Sequence, residues 1–187
     1  PFWLHSLLRI YTLVMIAIIA SFAVMLSYAD WSSREKEAQR VAQRVTTRTV
    51  SEIEYYHRES TQLAQELVEN RARIEGIYKY FSLSTSDYFY WLLQRKASPY
   101  VSVSLYEKID DLYVRNDFVT GVAIVLQDYK EVYVSTREKR SGEKILAEDF
   151  KPAANSFAIP VLEPNFDQSL GVIYICLSQD VLYQAID

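Results

Sequence analysis

The stretch FVTGVAIVLQDYKEVYVSTR, residues 118–137, decides the fold. Two runs rich in Val, Ile, Thr and Tyr, 118–127 and 131–137, flank Asp128-Tyr129-Lys130. Such runs joined by a short polar connection read as a β-hairpin. After a charged loop at about 138–151, NSFAIPVLE at 155–163 and LGVIYICLS at 170–178 flank the turn-rich PNFDQS and read as a second hairpin. Pro160 belongs at an edge or a bulge, because it has no N–H to give to a ladder. In the last run Gly171, Ile173, Ile175 and Leu177 alternate with Leu170, Val172, Tyr174 and Cys176. Both faces are apolar, which predicts a central strand.

Upstream of the hairpins the pattern is helical. From Trp31 to Tyr80 there is no proline, Gly76 is the sole glycine, and Glu, Gln, Arg and Ala abound, which predicts a long helix over about 31–81. Spacings of three and four connect Thr49, Ile53, Tyr56, Ser60, Leu63, Leu67, Asn70, Ile74, Ile77 and Phe81, a heptad-like seam with polar interruptions. The seam can pack on its own domain, and its N-terminal half can also pair with a second subunit. Interleaved charges such as Arg40, Arg44, Glu52 and Glu54 mark a solvated face. Ser84-Thr85-Ser86-Asp87 offers N-cap residues for a helix at about 87–96 that ends before Ser98-Pro99, and a second helix follows at about 101–115. The aromatics Tyr78, Tyr80, Phe81, Tyr88, Phe89, Tyr90 and Trp91 read as core between helix and sheet in preference to a ligand box or membrane belt. Ser178 caps a last helix beginning QDVLYQAID. The fold class is therefore α+β, with helices packed on an antiparallel sheet.

At the other end, IYTLVMIAIIASFAVMLSYA, residues 10–29, carries no charge. As a helix it measures roughly 30 Å, the thickness of a bilayer's hydrocarbon core. A buried core helix would show a polar face, and here only Thr12, Ser21 and Ser27 interrupt large apolar residues. Ser27-Tyr28-Ala29 loosely fits a signal-peptidase site, but the run is longer than a signal's apolar region, so an uncleaved transmembrane anchor is expected. Arg9 precedes the run and Arg34, Lys36, Arg40, Arg44 and Arg48 follow it among acids. Taken alone, that bias puts the following domain in the cytoplasm. The sequence starts at Pro1 without an initiator Met, so a basic flank can have been lost and charge does not settle the side.

Composition narrows the chemistry. Lys and Arg number 20 against 24 Asp and Glu, a net charge of −4, so no broad basic field exists to attract nucleic acid. The single cysteine, Cys176, excludes an internal disulfide framework and reads as a small buried side chain. His5 and His57 are the only histidines, separated by the apolar run, which leaves neither a metal site nor a nucleophile–base pair. Gly76, Gly121, Gly142 and Gly171 form no phosphate-cradling loop. Asp110-Asp111 and Glu148-Asp149 read as solvated acids rather than a catalytic pair. The segment Arg137 to Lys144 could hold an anion, but Glu138, Glu143, Glu148 and Asp149 offset its cations, and a solvated loop is preferred. No catalytic residue, metal or cofactor is expected.

The order of elements, apolar helix, long helix, short helices, hairpin, loop, hairpin and departing helix, resembles the Cache or PDC domain. This is the extracytoplasmic PAS-like sensor module of bacterial transmembrane receptors, often sensor histidine kinases. LGVIYICLSQDVLYQAID, residues 170–187, looks like that family's last strand and exit toward a second membrane helix. The resemblance covers about 30–187. It implies a cytoplasmic flank at 1–9, a transmembrane helix at 10–29, an extracytoplasmic sensor domain at 30–178 and the start of an exit helix at 179–187. It implies a PAS-like sheet, a bacterial cell-membrane location, a homodimer through the long helix, and a small-molecule or protein ligand held between sheet and loops. On matching positions the ligand would touch Tyr133, Arg137, Phe157 and Tyr174. A full-length parent would be a histidine kinase, although His57 in HRES lacks phosphoacceptor surroundings and no ATP-binding glycine box follows. The chain is then the input half of a receptor. The competing reading is a membrane-anchored interaction or scaffold protein complete at Asp187.

Overall fold

The computed structural model describes residues 2–96, 104–162 and 169–184. It divides into two compact units, Pro1–Arg48 and Thr49–Asp187. The first unit is helical throughout its described length, being the greater part of α1 (Phe2–Leu67). By length and composition α1 is able to cross a membrane, and none of its apolar window is buried.

The second unit is α+β. The last turns of α1 are followed by α2 (Arg71–Ser82), α3 (Thr85–Lys96) and α4 (Leu105–Arg115). Then come β1 (Val119–Leu126), β2 (Glu131–Thr136), β3 (Glu143–Leu146), β4 (Ser156–Leu162), β5 (Ser169–Leu177) and α5 (Gln179–Gln184). The strands form one antiparallel sheet in the order β3-β2-β1-β5-β4. Both expected hairpins are present, with β5 interior and Pro160 on the edge strand β4.

The long helix expected over 31–81 is two helices. α1 stops at Leu67, and Asn70 starts α2 in an extended conformation, its side chain accepting from the Arg73 N–H at 3.0 Å. An Asn at the position where the seam wanted an apolar residue is thus an N-cap, whose side chain shares the Arg73 N–H with the Asn70 carbonyl at 3.1 Å. Arg73 holds the corner by donating to the Glu66 carbonyl and pairing with Glu69. The loop expected at 138–151 contains β3, whose Glu143↔Val134 and Lys144↔Tyr133 pairings lengthen the sheet. Charged residues hid it, as they do on short edge strands that must not pair further. The helix expected from residue 87 begins earlier, because Ser84 accepts from the Asp87 N–H at 3.2 Å and donates to its carboxylate at 2.6 Å. The start of the helix expected at 101–115, the turn at 164–168 and the end of the C-terminal segment lie outside the described residues.

Alternation along the strands gives the sheet two faces. Val122, Ile124, Tyr133, Ile159, Ile173, Ile175 and Leu177 face the core beneath the helices. They meet Leu63, Ala64 and Leu67 from α1, Ile74, Ile77 and Tyr80 from α2, Tyr88 from α3, and Ile109, Leu112 and Tyr113 from α4. The seam therefore packs on its own domain from Tyr56, which meets Phe118 at 5.4 Å, while Ile53 is exposed. Gly171 is required where β5 meets β1. Its φ is +151°, and a Cβ there would lie 2.0 Å from the Val125 carbonyl oxygen.

Candidate functional site

A groove of about 1050 Å³ opens between α3, α4 and the turn joining β2 to β3. α4 shows how the sequence builds it. Leu105, Ile109, Leu112 and Tyr113 recur at helical spacing and are buried, which turns Tyr106, Glu107 and Asp110 toward the groove. α3 contributes Phe89, Leu92 and Leu93, with Phe89 and Leu93 half to two-thirds exposed. The turn contributes Arg140, Ser141 and Gly142, and the start of β3 contributes Glu143 and Lys144.

Tyrosines make the inner wall. Tyr80 meets Tyr88, Tyr106 and Tyr133 edge-to-face at 5.3, 5.5 and 5.3 Å, the arrangement ring quadrupoles favour. Burial pushes the hydroxyls of Tyr80, Tyr88, Tyr106 and Tyr133 up from their ordinary range, and that of Tyr113 up to about 12. All stay neutral donors at physiological pH. Tyr113 shares a hydrogen bond with Ser135 at 2.9 Å, and the Leu105 N–H at the start of α4 donates to Tyr88 at 3.2 Å. The Tyr133 hydroxyl is fully buried with no hydrogen-bond partner among the described residues. Its ring lies directly behind Gly142, where φ is +63° and a Cβ would fall 2.3 Å from Tyr133 Cε2.

Every cation of the segment 137–144 is engaged. Arg137 donates to the carbonyls of Val119 (3.1 Å) and Asn116 (2.6 Å) and stands 5.8 Å from the Tyr113 ring centre. Lys139 pairs with Glu143, and Arg140 reaches across the groove to Asp110 at 2.8 Å. Lys144 donates to the carbonyls of Phe81 and Leu83 at the end of α2. Lys139 and Arg140 are thus paired with acids, as expected of the loop, whereas Arg137 and Lys144 are committed to part-buried backbone carbonyls rather than to solvent.

The four expected ligand residues do not converge. Tyr133 is sealed in the core behind the groove. Phe157 meets His57 on α1 edge-to-face at 5.0 Å. Arg137 clamps the start of β1 to the end of β2, as just described. Tyr174 lies on the opposite sheet face, 5.3 Å from Phe150. There Arg137 and Tyr174 do border a common hollow of about 570 Å³, floored by Gly121, Ala123 and Cys176; burial raises the Cys176 thiol above its ordinary range. The groove residues Phe89, Tyr106, Asp110 and Arg140 were not assigned to a site from sequence. The polar face of the α4 periodicity was the signal for Tyr106 and Asp110. Nothing local pairs Arg140 with Asp110.

Among the described residues no group of three or more His, Cys, Asp or Glu side chains could hold a metal ion. Comparison with known proteins finds no matching family model, curated protein or solved structure.

Proposed function

We propose that the chain is the input region of a bacterial membrane receptor, of the Cache/PDC kind, feeding a histidine kinase. In this reading residues 10–29 span the membrane, the second unit lies outside the cytoplasm, and a ligand in the groove between α3, α4 and the β2–β3 turn is the stimulus. The observation that supports it is that α1 joins an unburied apolar window to residues that pack in a core. α1 supplies the unburied apolar window and also, through Ser60, Leu63, Ala64 and Leu67, part of the core of the α+β unit. An apolar surface of that extent left outside any protein core calls for lipid or a partner.

The mechanism is a shift between two arrangements of a dimer, biased by ligand and passed on through α1 and the helix that begins at Gln179 directly after β5. The chain itself carries no catalytic role in this account; the kinase chemistry belongs to a longer parent. The experiment grafts residues 1–187 onto a histidine-kinase output module with a transcriptional reporter. Substitutions at Asp110 and Phe89 are expected to move reporter output, and engineered cross-links that lock both connecting helices are expected to freeze it. Output that stays fully responsive with both helices locked contradicts the mechanism.

A further inference from the structure

The groove is aromatic on its walls and acidic at its mouth. Phe89 and Tyr106 stack with centroids 5.5 Å apart and planes 11° from parallel, and Tyr80 meets Tyr106 edge-on. Three carboxylates line it, Glu107, Asp110 and Glu143, with two cations, Arg140 and Lys144. Both cations are already held within the protein. The Lys144 ammonium is held by Phe81 O at 3.2 Å and Leu83 O at 3.1 Å, with Glu131 at 3.6 Å. Arg140 is held by Asp110 at 2.8 Å and by the Arg137 carbonyl at 3.3 Å.

These two commitments differ in strength. Lys144 is largely covered, its side chain 21% exposed. The side chains of the Arg140–Asp110 pair are 42% and 52% exposed, and such pairs contribute little to stability and exchange partners readily. Asp110 is therefore the carboxylate at which one cation can replace another. An ammonium entering beside Phe89 and Tyr106 gains attraction to their rings and an apolar bed for its body, while the Tyr80 ring is already taken by Lys144.

We propose that the groove binds a primary amine with an aromatic or branched apolar body. Its ammonium replaces Arg140 at Asp110, and its body lies against Leu93 and the outer side of the stacked Phe89–Tyr106 pair. This rests on reading the groove as the ligand site and adds the class of ligand. Arg140 then acts as a built-in competitor. Its release frees the β2–β3 turn from α4, which couples occupancy to the packing of Gly142 over Tyr133.

The test is calorimetric titration of the full chain in nanodiscs with 2-phenylethylamine, phenylacetate and 2-phenylethanol, which share a ring and differ in head group. The amine is expected to bind at least about tenfold more tightly than either analogue. Asp110→Asn should weaken it by about tenfold, and Arg140→Gln should tighten it several-fold by removing the competitor. Should Asp110→Asn fail to fold, Arg140→Gln decides alone, because tighter binding cannot arise from damage to the fold. Phenylacetate binding as tightly as the amine, weaker amine binding by Arg140→Gln, or no binding of any probe overturns the proposal. Amine binding that leaves the grafted receptor's output unchanged would instead break the signalling reading and leave this one standing.

Discussion

The ammonium of Lys144, on the edge strand β3, stands 5.1 Å from the centre of the Tyr80 ring on α2. From there it donates to two carbonyls at the end of that helix, Phe81 O and Leu83 O. A cation at a helix C-terminus satisfies orphaned carbonyls and complements the helix dipole. Lys144→Met keeps the apolar stem and loses the charge. It should destabilise the chain by about 1–2 kcal/mol, read as a lower urea midpoint of the detergent-solubilised protein.

Gly142 and Tyr133 give a second test, in which two substitutions a few ångströms apart behave oppositely. Gly142→Ala sets a side chain at φ +63° against the Tyr133 ring and should cost about 2 kcal/mol or more. Tyr133→Phe removes a buried hydroxyl without a partner among the described residues and should be neutral or stabilising by up to about 1 kcal/mol. Adding Tyr133→Phe should not rescue Gly142→Ala, since ring carbons, Cε2 and Cζ, are what the new Cβ meets first. Thermal unfolding of the three variants checks all of this.

At Asn70 the expected cost comes from an N-cap. Asn70→Ala should destabilise by about 1 kcal/mol, and Asn70→Asp should come within a few tenths of the parent. An equal loss in both variants would contradict the capping role.

These positions also show what was legible in advance. Strand runs such as VTGVAIVL announce themselves through β-branched residues, so the hairpins, the interior β5 and the edge Pro160 follow from local pattern. Asn70 fits a heptad seam and an N-cap equally well by spacing, and only the Arg73 N–H it satisfies decides between them. β3 was hidden because Glu143 and Lys144 read as loop, while Lys144 earns its place through contacts with α2, distant in sequence. The groove is harder still. Asp110 and Arg140 meet across thirty positions, and alternation alone could not say that Tyr133 and Tyr174 occupy opposite faces of use to different neighbours.

The tyrosine cluster predicts a pH dependence. Burial raises the hydroxyls of Tyr80, Tyr88, Tyr106, Tyr113 and Tyr133, so the unfolded chain gives up these protons first. Their contribution to stability is complete below the ordinary tyrosine value of 10 and is lost as pH rises through the folded values, which for Tyr113 is about 12. Above pH 10 the unfolding free energy should fall by up to roughly 1.4 kcal/mol per pH unit for each tyrosine held neutral, read as a lower urea midpoint. Tyr113→Phe should make that fall shallower.

The most direct measurement of the central claim is the side of the membrane on which the α+β unit lies. Reporters fused after residue 184, one active only outside the cytoplasm and one only inside, are expressed with the whole chain in bacteria. The account predicts membrane-retained protein with activity from the outside reporter alone. Activity from the inside reporter, or release of the α+β unit after cleavage near Ala29, would contradict it.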